Sequence, residues 1–140
     1  MSSNLEVINT IGKMSSAYKD NYSTMNISQL MNFRDKLSVY SFNLAEISAD
    51  AKDAYNTNLY INKIEFNRSK QRYMNEGDSG TKAESMAHID SEESLKEKLG
   101  AESWGYRADT LLKQVNKILE SAGQRIAVMR DEYKKVNKLP

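Results

Sequence analysis

Cysteine is absent from all 140 residues, which excludes disulfides and thiolate metal sites and fits a reducing compartment. Proline occurs once, as the last residue, and glycine six times, so long stretches hold nothing that would break a helix. Histidine also occurs once, at His88, so any Ser-His pair has a single base to draw on. No stretch nears the roughly 18 consecutive apolar residues of a membrane span. The start Met1-Ser2-Ser3-Asn4 lacks the basic opening and apolar run of a signal peptide. With 39% hydrophobic and 28% charged residues and a mean hydropathy of −0.70, the chain is expected to be a soluble, cytoplasmic single domain with a thin core. Neither a cofactor nor a membrane partner is expected.

What the sequence does contain is a seven-residue beat. Leu30, Leu37, Leu44 and Ala51 alternate with Phe33, Tyr40, Ile47 and Ala54. Later, Ala108, Val115, Ala122, Met129 and Val136 alternate with Leu112, Leu119, Ile126 and Tyr133. Spacings of three and four held over about four heptads place a narrow apolar seam on each of two long helices. The seam residues Leu30, Phe33, Leu37, Leu44, Ile47, Leu112, Val115, Leu119, Ile126 and Met129 should therefore face a partner helix.

The expected fold is all-α: a long antiparallel helical hairpin, coiled-coil-like, with a short N-terminal helix. Residues 1–25 supply that docking helix, through Leu5, Ile8, Ile11 and Met14, and a connector from Lys19. Residues 26–75 form the first long helix, with Asn26 as its cap. Residues 76–81 are the loop, where Gly77 and Gly80 flank Asp78-Ser79. Residues 82–137 form the second long helix, opened by a capping box of Thr81 and Glu84. Asp90–Glu93 and Gly100 are the two places in it that allow a break. Two such helices bury little, so copies should associate into a homo-oligomer.

Charge is segregated along the chain. Residues 76–102 hold three basic and eight acidic side chains, whereas residues 103–140 hold eight basic and four acidic. Such blocks create local fields that a net charge of +1 conceals. The C-terminal cations Lys113, Lys117, Arg125, Arg130, Lys134, Lys135 and Lys138 avoid the seam. They suit either intersubunit ion pairs or a phosphate surface.

The residues point away from catalysis. Glu84, His88 and Glu92 form one i, i+4 row, which suits a metal in principle, but Lys96 extends it and the row reads better as a solvated face. No metal and no enzymatic activity are expected. The stretch Tyr60, Lys63, Phe66, Arg68, Lys70, Arg72 and Tyr73 interleaves cations with aromatic rings. Single-stranded nucleic acid is held in this way, with cations tracking phosphates and rings stacking on bases. The competing reading makes Phe66 and Tyr73 core residues and the cations an ordinary wet face.

The order of these features resembles a phage family. A long basic-aromatic helix leads into Arg72-Tyr73-Met74-Asn75-Glu76-Gly77-Asp78. A second long helix then carries Lys82-Ala83-Glu84-Ser85-Met86, Ser103-Trp104-Gly105-Tyr106 and Val128-Met129-Arg130-Asp131-Glu132-Tyr133. Over about residues 30–134 this is similar to the UvsY-type recombination mediators of phages. The compact Lys/Arg motif of those proteins is spread out here as Lys63, Arg68, Lys70 and Arg72. The resemblance implies a homo-oligomeric protein that binds single-stranded DNA and helps load a recombinase onto DNA covered by a single-strand-binding protein. The other expectation is a non-enzymatic oligomeric interaction protein without a nucleic-acid role: an inhibitor of a host system, a ligand sponge or an assembly factor.

Overall fold

The computed structural model describes residues 2–138, and the side chains of residues 4–136. It is all-α, with no strand among the described residues. Helix α1 spans Ser2–Asn21, and a 3-10 turn follows at Tyr22–Thr24. Helix α2 spans Ile27–Asn75, α3 Gly80–Asp90 and α4 Glu92–Lys138. No helix is long and apolar enough to cross a membrane. The side chain of Lys138 lies outside the described residues.

Each helix boundary has a local cause. At the start of α2, Gln29 N–H donates to Asn26 Oδ1 at 2.8 Å, and Asn26 N–H donates to Gln29 Oε1 at 2.9 Å. This reciprocal pair satisfies two donors that a first turn leaves open. At the end of α2, Gly77 takes φ +98°. Its N–H bonds Met74 O at 3.1 Å while Asp78 N–H reaches back to Tyr73 O at 3.1 Å, the paired bonds of a Schellman ending. Only one of the two loop glycines uses its conformational freedom. Gly80 is already the first residue of α3 and has open space where a Cβ would sit. Gly77→Ala is therefore expected to lower stability by about 1–2 kcal/mol. Gly80→Ala should leave it unchanged or raise it by up to about 1 kcal/mol. Thermal unfolding of the two variants checks the contrast.

The capping box expected at Thr81 is displaced. Ser79 caps α3, its Oγ accepting from Lys82 N–H at 3.2 Å, so Thr81 lies inside the helix and the loop ends earlier than residue 81. The segment 82–137, expected as one helix, is interrupted at Ser91 and not at Gly100. Ser91 Oγ donates to Ala87 O at 2.7 Å, within its own preceding turn. Back-bonding of this kind bends helices.

The chain divides into two compact units. Unit 1 comprises Met1–Ile47 with Ala108–Pro140, and unit 2 comprises Ser48–Arg107. Unit 1 has an apolar core. Leu30, Leu37 and Leu44 from α2, and Ala108, Val115 and Ala122 from α4, are closed off completely. Ile47 and Ile126 are also buried, while Phe33, Leu112, Leu119 and Met129 are half-buried. Helix α1 adds Ile8, Ile11 and Tyr18. The Tyr18 ring stacks on Phe33 at 5.2 Å, and its hydroxyl shares a 2.6 Å hydrogen bond with Ser121. The seam is thus sealed by a third helix. Each fully buried leucine contributes about 1.5–3 kcal/mol.

Unit 2 is built from small residues. Ala51, Ala83, Ala87, Gly105, Ser48, Ser69, Ser91 and Ser94 are buried, and no large side chain of this unit is fully so. Gly105 permits a close helix approach: a Cβ there would meet the Ala51 Cβ at 3.4 Å. Hydrogen bonds replace apolar knobs. Asn62 Nδ2 donates to Ser91 O and to Ser94 Oγ, each at 3.0 Å. Ser69 Oγ donates to Asp90 Oδ2 at 2.6 Å.

Candidate nucleic-acid interface

Helix α2 carries the basic-aromatic stretch through unit 2, and helical geometry sorts it. At about 100° per residue, Lys63 and Lys70 fall on one flank of α2, and Arg68 and Arg72 fall about half a turn away. The seven residues expected to form one site are therefore not one patch. Tyr60 is 67% exposed, Lys63 and Arg68 are exposed, and Lys70 is half-buried. Lys63, Arg68 and Lys70 join no ion pair among the described residues.

The other three members have partners within unit 2. Phe66 is half-buried against the His88 ring, with centroids 4.7 Å apart. Arg72 donates to Asp90 Oδ2 at 2.9 Å and lies over the Tyr73 ring at 4.8 Å. Phe66 and Tyr73 are half-buried and each already has a neighbour within unit 2. Tyr60, Lys63, Arg68 and Lys70 remain open to a ligand.

Asp90 gathers three partners in this unit. The Ser69 hydroxyl, then the Tyr73 hydroxyl, and further the Arg72 charge stabilise its carboxylate and hold its pKa below the ordinary value. Tyr73 foremost, with Asp90 and Glu76 behind it, raises the Arg72 pKa. A depressed carboxylate pKa stabilises the fold above the unfolded value of about 4 and loses that contribution as pH falls from there through the folded value. Acidification from pH 6 to pH 3 should therefore loosen unit 2. Asp90→Asn should be less stable than the parent at pH 6, with the difference shrinking toward pH 3. Fluorescence of Trp104, the sole tryptophan and a member of this unit, reports the change.

Sequence reading missed Ser69, Asp90, Ser91 and Ser94 because they are polar. A signal was present nevertheless. Ser48, Tyr55, Asn62 and Ser69 keep a seven-residue spacing, as do Ser94, Ala101 and Ala108. The beat persists while its chemistry changes.

No group of three His, Asp or Glu side chains among the described residues is arranged to hold a metal ion. Within the Glu84, His88, Glu92 row, His88 packs on Phe66 and Glu92 pairs with Lys96 at 3.4 Å. The C-terminal cations differ among themselves. Arg125 lies over the Tyr22 ring at 5.1 Å and Arg130 reaches Met31 Sδ at 3.6 Å, while Lys113, Lys117, Lys134 and Lys135 are exposed.

No family model, curated protein or solved structure matches this chain.

Proposed function

We propose that this chain is a non-enzymatic, self-associating protein that binds single-stranded DNA in the manner of the phage recombination mediators it resembles. The observation that carries the reading is the exposed Tyr60 ring near the flank of α2 that holds Lys63 and Lys70, cations with no carboxylate partner, with the unpaired Arg68 on the other side of the helix. Unneutralised cations along a helix attract phosphate, and an open ring stacks on a base. The protein partners of such a mediator are a recombinase and a single-strand-binding protein, within a bacterial cytoplasm.

The assembly follows from the same chemistry. In this reading α2 folds back antiparallel on α3 and α4. In support, Asn62 bonds Ser91 and Ser94 whereas the later Ser69 bonds the earlier Asp90. Self-association draws support from exposed large apolar side chains: Phe42 at 72% in unit 1, and Leu59, Leu95 and Leu99 in unit 2. The last two, with Tyr106, recur at helical spacing along one side of α4, which also favours the second reading, an interaction protein without nucleic acid.

A fluorescence titration with a labelled oligonucleotide across salt concentrations tests the proposal. Micromolar or tighter binding that weakens steeply with salt is the expected result. No affinity at low salt would remove the DNA reading and leave the interaction protein.

A further inference from the structure

A second site lies in unit 1, in residues the basic-aromatic stretch does not include. We propose that the groove between α1 and α4 binds a nucleoside phosphate. Its walls bring together Ser15, Ser16, Lys19 and Tyr22 from the N-terminal side, and Lys117 and Ser121 from α4. The groove measures about 490 Å³, room for a nucleotide, and no carboxylate lines it. Lys19 and Lys117 are exposed and enter no ion pair among the described residues.

These features divide the ligand's chemistry between them. Two ammonium groups and a set of hydroxyls suit a phosphate, which accepts charge-assisted hydrogen bonds. Tyr22 supplies a platform for a base. Its ring is 43% exposed, is tilted against Tyr18 at 5.7 Å and carries the Arg125 guanidinium at 5.1 Å. Arg125 lines a neighbouring groove, with Tyr22 common to both, and does not line this one. The guanidinium thus polarises the ring without lining the first groove. Stacking on an aromatic ring is tolerant of base identity. The nucleoside phosphate has two sources, a free nucleotide or a nucleotide at the end of a DNA strand.

Amide chemical shifts of the full chain are followed during titration with inorganic phosphate, thymidine monophosphate and a 5′-phosphorylated oligothymidylate. Shifts at Ser15, Ser16, Tyr22 and Ser121, with thymidine monophosphate binding at least fivefold tighter than phosphate, are expected. Lys19→Ala with Lys117→Ala should weaken thymidine monophosphate about tenfold or more, and Tyr22→Ala about fivefold or more. If the oligonucleotide alone moves these amides, the strand end is the source. If thymidine monophosphate also moves them, a free nucleotide suffices. Phosphate binding as tightly as the nucleotide, or no shift at these residues with any of the three, overturns the proposal. The groove can succeed where the α2 cations fail, because Lys63, Arg68 and Lys70 take no part in thymidine monophosphate binding. Their replacement by alanine should leave that affinity unchanged.

Discussion

Leu37→Ala is expected to destabilise the protein by about 2–5 kcal/mol, the range for deleting a fully buried leucine and leaving a cavity. Leu37 is 0% exposed and sits midway in the heptad column between Leu30 and Leu44. That column belongs to the unit where α1, α2 and α4 all contribute buried apolar residues, so no single side chain can collapse freely into the void. Leu59→Ala provides the contrast. Leu59 has a similar side chain on the same helix but is 42% exposed, and its loss should cost about 1 kcal/mol or less. Amide hydrogen exchange across α1 and the first turns of α2 measures the difference. Equal effects of the two variants would mean that the apolar core is not where the fold is held.

Joint replacement of Lys63, Arg68 and Lys70 by alanine should nearly abolish binding to single-stranded DNA while preserving helix content. Each lost phosphate contact on a single strand removes about 0.7 from the slope of log affinity against log salt, so three contacts remove about 2. At about 0.05 M salt this amounts to a loss on the order of a hundredfold or more. Arg72 is kept out of the set because its guanidinium is engaged by Asp90, and its removal would act on the fold as well. Lys134→Ala with Lys135→Ala, two exposed cations of unit 1, is the matched control and should lower affinity far less.

The all-helical character and the apolar seam were legible from the heptads. Leu30, Leu37, Leu44, Val115 and Ile126 are buried where a seven-residue beat puts them. The Asn26 cap was legible for the same reason, since an Asx side chain before a helix has few better uses. Tyr18 was not. It closes the last turn of the apolar run in α1, and its polar hydroxyl gave no hint of the Ser121 partner 103 residues away. Unit 2 was the least legible because its seam is carried by serine, alanine, asparagine and glycine. Hydrophobicity is the usual guide to a buried column, and here it weakens although the spacing continues. The cap shifted from Thr81 to Ser79 because both residues offer a hydroxyl and only the chain path after Gly77 selects between them. The candidate site was half legible. Composition found the cations and rings, but only long-range partners such as Asp90 and His88 separate those that hold the fold from those left open.

The most direct measurement for the whole account is native mass spectrometry with and without a short oligothymidylate. A multiple of the 16.0 kDa chain is expected in the absence of DNA, and the same assembly carrying the strand in its presence. A lone 16.0 kDa species that ignores the oligonucleotide would contradict it.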